Sequence, residues 1–342
     1  MSVCIQYNSE KWNDGCGAQV QRIAAIYSIA KEFKLNFVHS RIRWFESNPG
    51  DGFSNKEQMD RFIVSLNKFL KLENHICLHT HKRRNFTYRR VFRFRLTTRV
   101  FFFIQKVYFR VTRQNVLYSI DNPYLLIENY PDIYKHFSNE FAKSLTDKIL
   151  VEQNRKFSVH LHIRTDKEGN KLMKARHVEL QFYVDLLQKL EQINRHFGIN
   201  AKVVVHTDAP IEETKWYPIQ ITEETAKFWR ESGVMSDSGY IELNPINFSG
   251  ILPFVEDLEI LRLADPLTSW SRMSAADVLV MNKSSFSFVG ALLNSNGFKI
   301  GPSFRHKFPR EWNVWEATSE NRTVLRDYSR YLQLRLRSAK SE

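Results

Sequence analysis

The stretch Phe157–Ile163, taken with the segments after it, constrains the fold of this chain more than any other feature. Along it Phe157, Val159, Leu161 and Ile163 alternate with Ser158, His160 and His162, the period of two that a strand requires. A charged turn follows, Arg164-Thr165-Asp166-Lys167-Glu168-Gly169, and then apolar residues recur at helical spacing from about His177 to Phe197. A second apolar run, Ala201–His206, ends at Thr207-Asp208. Strand, helix and strand of these lengths make a βαβ unit, which commits this part of the chain to a parallel sheet. One face of the first strand is built to pack. The other carries two imidazoles and ends in the Arg164 guanidinium, at the place where an α/β sheet binds its ligands, beyond the carboxyl end of a strand.

The rest of the chain extends this pattern. At 342 residues it exceeds what one core organises, and its 43% hydrophobic content with 26 Phe fills two. We expect a first domain over residues 1–152, a second over 153–305, and a helical segment over 306–342 that returns to the first domain. In the first, Gly15 and Gly17 form a tight turn or a ligand loop and open a helix of about 15 residues, with Val20, Ile23, Ala24, Tyr27 and Ala30 on its apolar side, followed by a strand over Leu35–His39. Lys56–Leu72 reads as an amphipathic helix. In the next strand, His75–His81, four potential metal ligands alternate, but neighbours on that face lie about 7 Å apart and the outer pair about 20 Å, so half-exposed strand histidines are expected rather than a metal site. Asn122–Leu150 enters a helix through Pro131 and closes the domain. In the second domain, after an irregular stretch, the expected elements are a helix over Asp257–Leu263, a strand over Val278–Met281, a turn Lys283–Ser287 that opens a helix, and a strand over Phe298–Gly301. A basic amphipathic helix covers Glu320–Ala339.

Charge narrows the partners. The net charge of +13 calls for an anionic one, and eleven Lys or Arg with no acidic residue fall between Lys82 and Arg113. With interleaved Phe and Tyr, this basic-aromatic arm suits phosphate and base contacts with nucleic acid, an anionic membrane surface, or an acidic acceptor. Because no nucleic-acid recognition fold accompanies it, membrane or acceptor contact is preferred. Three cysteines, Cys4, Cys16 and Cys77, are odd in number and unpatterned, as in a reducing compartment. The first residues show no basic-then-apolar leader, and no uncharged apolar run approaches the ~18 residues that span a bilayer. The expected location is cytoplasmic, peripheral to a membrane at most.

Three pieces of the second domain, in order, resemble the fucosyltransferase superfamily of α1,2- and α1,6-fucosyltransferases and protein O-fucosyltransferases. His162-Ile163-Arg164-Thr165-Asp166-Lys167 is similar to its H-x-R-(R)-x-D segment, and Val205-His206-Thr207-Asp208-Ala209-Pro210 to a strand ending in T/S-D-D. Ala276-Asp277-Val278 followed by Ser284-Ser285-Phe286-Ser287 is similar to A-D-x-x-x followed by S-x-F-S. Gly15-Cys16-Gly17-Ala18-Gln19 resembles the opening G-x-G-N-Q. The chain departs from the pattern in having a single Arg164 where the family often has two arginines, Ala209 for the second Asp, and Ala18 for Asn. Residues 41–150 match no family pattern.

The resemblance implies a GT-B glycosyltransferase: two Rossmann-like domains facing one another across a cleft, nucleotide-sugar donor on the second and glycan or glycoconjugate acceptor on the first. The implied donor is GDP-fucose, with other nucleotide sugars left open by the departures; no other cofactor and no metal are implied. Arg164 would stabilise the charge that develops on the departing diphosphate. His162, Asp208, Ser284, Ser285, Phe286, Ser287, Gly15, Gly17 and Gln19 would contact the donor, and Asp166 or Glu168 would remove the acceptor proton. The Ser284–Ser287 turn offers either amides and hydroxyls for a diphosphate or an ordinary helix N-cap. A nucleic-acid-binding protein organised around residues 82–113 is the alternative of a different class.

Overall fold

In a computed structural model of the chain, two α/β units each carry a sheet whose strands are all parallel. The structure describes residues 2–8, 15–45, 56–70, 82–86, 94–120, 122–145, 156–164, 177–210, 213–218, 223–231, 235–262, 264–304, 306–316 and 321–341. Unit 1 comprises Met1–Ser47, Phe53–Ile149 and His306–Arg310, and unit 2 the remainder.

Unit 1 contains β1 (Val3–Tyr7), α1 (Cys16–Glu32), β2 (Asn36–Val38), α2 (Lys56–Phe69), β3 (Lys82–Phe86), α3 (Arg95–Val111), β4 (Val116–Ile120), α4 (Tyr124–Ile127) and α5 (Lys135–Leu145). Its strands lie in the order β2-β1-β4-β3. α1 is buried all along from Val20 to Ala30, its polar Gln21, Arg22 and Ser28 included, with Tyr27 edge-on to Phe37 and Phe137, and Phe137 stacked on Phe141. Within the basic-aromatic segment Lys82–Arg113, Lys82–Phe86 pairs with β4 as the edge strand of this sheet, and α3 lies in the crossover between them. Crossover connections of this kind are what parallel pairing demands. The strand expected over His75–His81 lies outside the described residues.

Unit 2 contains β5 (Ser158–Ile163), α6 (Leu180–His196), β6 (Lys202–Thr207), the antiparallel pair β7 (Lys215–Pro218) and β8 (Tyr240–Leu243) with α7 (Glu223–Glu231) between them, β9 (Asp257–Arg262), α8 (Pro266–Ala275), β10 (Val278–Val280), α9 (Ser285–Leu293), β11 (Phe298–Gly301), β12 (Asn313–Val314) and α10 (Arg322–Ser341). The main sheet runs β12-β11-β10-β5-β6-β9. Counted from its own first strand this is 3-2-1-4-5-6, the doubly wound Rossmann order, whose direction of winding reverses between β5 and β10. Val159, Leu161, Ile163, Val203, Val205, Val278 and Val280 form one core with Tyr183, Leu186 and Leu190 of α6 and Val324, Tyr328 and Leu332 of α10.

Three expectations are corrected here. Asp257–Arg262 is a strand, not a helix: Leu258 and Ile260 reach the core while Glu259 turns out to Lys202 and Arg272, the alternation of an edge strand. The C-terminal helix does not return to the first domain. It packs into the second core through Val324, Tyr328 and Leu332, because its apolar stripe is the cover that face of the sheet needs, and only His306–Arg310 joins unit 1. Finally, both faces of β5 are buried, as parallel strands between two helical layers are. The second layer is α8 and α9, which approach closely at Gly290, where an added Cβ would meet Met273 Sδ at 2.6 Å.

Candidate functional site

The polar groups of unit 2 converge at the carboxyl ends of β5, β6 and β10. Register sets the first pair. Ile163 lies opposite Thr207 in the parallel ladder, so the next residues, Arg164 and Asp208, face each other, with Arg164 Nε 3.6 Å from Asp208 Oδ2. The Arg164 side chain is 25% exposed and Asp208 12%, so the pair is only partly shielded from water. The turn carrying Asp208 is fixed from two sides. Ala209 N–H donates to Thr207 Oγ1 at 3.1 Å, and Arg262 at the end of β9 donates to the carbonyls of Ala209 and Pro210 at 3.1 and 2.7 Å. Arg262 lies over the Phe248 ring at 5.4 Å. Ala209 is fully buried, so the acidic residue that the family pattern has here would put a carboxylate into the core.

At the neighbouring end of β10, the Asn282 amide donates through Nδ2 to Tyr183 Oη at 2.9 Å, and Tyr183 Oη donates to the His162 carbonyl at 2.9 Å. This network ties β5, α6 and β10 together beside the reversal point. Asn282 Oδ1 is buried and accepts no hydrogen bond among the described residues. Next comes the serine turn. Ser284 Oγ caps α9 by accepting from Phe286 N–H at 3.2 Å. Ser287 Oγ accepts from Asn282 N–H at 3.1 Å and lies 3.2 Å from the Asn282 carbonyl. Two of the three hydroxyls therefore close the turn on itself. The backbone amides of the first turn of α9 have no helical carbonyl behind them, and that end of the helix is electropositive.

The imidazoles of His160, His162 and His206 lie in the buried layer. His160 Nδ1 is 3.0 Å from His206 Nε2, and His162 rests on the Phe286 ring at 5.2 Å, which in turn meets Trp270 at 5.2 Å. Burial, then the Arg164 charge, then His206 hold the His162 pKa well below the usual range. Burial and then the Arg272 charge hold His206 at about 4 against 6.5 in the open, with Glu259 opposing. Both rings are neutral near pH 7. An imidazole kept neutral by folding is protonated first in the unfolded chain, so its effect on stability is absent above about pH 6.5 and grows as pH falls toward about 4. From His206 alone, the protein is expected to be about 2 kcal/mol less stable at about pH 5 than at about pH 7.5. Urea titrations of the parent and of His206→Gln check this, and an identical pH slope in the two would refute it.

Asp166 and Glu168 lie outside the described residues. Gly15, Gly17 and Gln19 belong to unit 1, where Gly15 precedes α1 with φ −53°, a conformation open to any residue, and Gln19 is buried with Nε2 donating to the Trp44 carbonyl at 2.9 Å. Their loop neighbours, residues 9–14, are outside the described set. A separate cavity of about 260 Å³ in unit 1 is lined by residues including Glu32, Arg95, Tyr130, Asp132, Lys135 and Arg310; of these, the sequence patterns single out only Arg95, as part of the basic segment Lys82–Arg113. Tyr183, Asn282 and Arg262 were likewise not anticipated. Among the described residues, no group of three His, Cys, Asp or Glu converges as a metal site would.

No protein-family profile matches the chain. No curated protein matches it either. Solved structures with similar folds include POFUT1 in complex with GDP-fucose, 12% identical over 92% of this chain and 97% of that one, with a TM-score of 0.41. An Arabidopsis thaliana FUT1 mutant in complex with GDP is 11% identical over 86% of this chain and 69% of that one (TM-score 0.34). The E. coli ADP-heptose lps heptosyltransferase II is 11% identical over 98% and 99% of the two chains (TM-score 0.36). At TM-scores below 0.5 these likenesses assign no activity to this chain.

Proposed function

We propose that this protein transfers a sugar from a nucleoside-diphosphate sugar to a hydroxyl of a glycan or glycoconjugate, with fucose from GDP-fucose as the first choice of donor. One observation carries the reading: Arg164 and the N-terminus of α9 stand at the ends of β5 and β10, the two strands between which the Rossmann order of unit 2 reverses. That crevice is where doubly wound sheets bind nucleotides. A guanidinium and an electropositive helix end are the groups a diphosphate requires.

In the transfer, the acceptor oxygen bonds to the anomeric carbon as the bond from that carbon to the β-phosphate oxygen breaks. The acceptor proton passes to a carboxylate, and the nucleoside diphosphate leaves with an added negative charge. Arg164, oriented through its contact with Asp208, stabilises that charge more strongly than it does the bound donor, which is what makes an interaction catalytic. The α9 amides hold the diphosphate. Asp166 and Glu168 are the candidates for the base. The single arginine and Ala209 support a second reading, the same reaction with another nucleotide sugar.

Thermal shift against GDP, UDP, ADP and CMP and their sugars tests both. At roughly a hundred times Kd a ligand adds about 2.7 kcal/mol to the native state. A rise with GDP and GDP-fucose supports fucose, a rise with another nucleotide keeps the transferase and replaces the sugar, and no rise with any of them overturns the reading.

A further inference from the structure

The outer face of α3 has the wrong chemistry for a helix that covers a sheet. Its inner face is fully engaged: Phe102 and Phe109 are buried, Phe102 meets Phe33 at 5.8 Å, and Gln105 accepts from Tyr118 Oη at 2.6 Å. An outward face of such a helix is ordinarily polar. Here Leu96, Val100, Phe103, Ile104, Val107, Tyr108 and Val111 point away from unit 1, Phe103 at 65% and Val111 at 76% exposure. At helical spacing they occupy an arc of roughly 140° along the whole helix. Of the thirteen large apolar side chains exposed among the described residues, eight fall between Phe94 and Val111, so the patch belongs to this helix rather than to the surface in general. Arg99, Lys106 and Arg110 border one edge of the arc, Arg113 follows its end, and no acidic residue occurs from Lys82 to Arg113.

We propose that this face docks the protein on a lipid bilayer rich in anionic headgroups, with α3 lying in the plane of the interface. An apolar arc bordered by cations matches a surface whose interior is hydrocarbon and whose boundary is negative. The arginine stems reach from the arc to the headgroup level. Five of the seven side chains are aliphatic, which gives a nucleic acid little to stack on. A second copy would bring two uniformly basic segments together. No described helix is long and apolar enough to cross a membrane, so the mode is attachment in the interface. The proposal does not depend on the reaction assigned to unit 2.

The test is co-sedimentation of the full chain with phosphatidylcholine vesicles, with and without about 30% phosphatidylserine. Parallel runs use F103S/I104S and R99E/R110E, whose positions are outside the core. Binding is expected only with phosphatidylserine, falling about tenfold or more in both variants, while their melting temperatures stay at the parent value. Failure of the parent to sediment overturns the proposal. So does binding that F103S/I104S leaves unchanged, since that is charge attraction without insertion. Single-stranded oligonucleotide binding, or a dimer on gel filtration, that is lost in F103S/I104S while the parent shows no vesicle binding gives the face to another partner and likewise overturns it.

Discussion

Replacing Arg164 with Ala is expected to lower turnover of the donor by about 10²–10³-fold, with the fold retained. Arg164 is 25% exposed and its partner Asp208 12%, so loss of the pair removes little native stability; partly exposed ion pairs contribute at most about 1 kcal/mol. The loss falls instead on the transition state. In the proposed reaction the leaving diphosphate gains charge there, and a fixed guanidinium at the mouth of a Rossmann crevice would be worth several times what it is worth in water. Arg164→Lys separates the two components of the effect. Lys keeps the charge but not the planar fork, so it should recover part of the rate while remaining well below the parent. Initial rates with donor and acceptor varied separately, alongside melting curves, make the comparison. If Arg164→Ala turns over within about threefold of the parent, the site assignment fails.

The pairing of Arg164 with Asp208 was within reach of the sequence. Once Phe157–Ile163 and Ala201–His206 are read as adjacent parallel strands, the residues just past each end must come together, and both had already been singled out for chemistry. α6 is legible from its helical period, and β6, β10 and β11 from short apolar runs set between turns. The central strands of unit 1 are not. β1 (VCIQY) and β4 (VLYSI) are central strands of five residues with almost no exposed position, so the alternation that marks a half-buried strand is missing. Lys82–Arg113 was read by its charge, although its local periodicity supports a helix over half its length. Charge described what the segment presents to solvent, while Phe102 and Phe109, hidden among similar aromatics, decided where it packs.

The unanticipated site residues share one physical cause. Arg262 acts on backbone carbonyls more than fifty positions earlier, and Tyr183 donates to the His162 carbonyl while accepting from Asn282, 99 positions later in the sequence. Backbone groups carry no sequence signature, so side chains that serve them are invisible until strand order is known. The serine turn is the converse case, where a pattern that suits phosphate binding is also the pattern of a cap. Ser284 and Ser287 close the turn and Ser284 takes the Phe286 amide, which leaves the other amides of the first turn of α9 as the part available to a ligand.

Asp277 belongs to the same motif as that turn, yet it stands at the amino end of β10, the opposite end of the sheet from Arg164. It is 2% exposed. Its carboxylate accepts from Ser158 N–H at 2.8 Å and pairs with Arg335 of α10, while Tyr331 Oη donates to its carbonyl at 3.0 Å. These contacts fasten the last helix to the first strand of unit 2. Asp277→Ala leaves a buried amide without an acceptor and a guanidinium without its counter-charge, so we expect a loss of about 3 kcal/mol. The figure sits at the low end for a broken buried pair because Arg335 is 43% exposed and recovers part of its hydration. Arg335→Ala strands the buried Asp277 carboxylate and should cost a comparable amount, and the double variant less than the sum, since the second change removes a charge already stranded by the first. Urea unfolding measures the cycle, and amide exchange locates it, with faster exchange across Val324–Leu332 in each variant. On the proposed function, a folded Asp277→Ala protein should still bind the donor nucleotide. Loss of nucleotide binding with stability within about 0.5 kcal/mol of the parent would instead place Asp277 in the site and remove it from the joint.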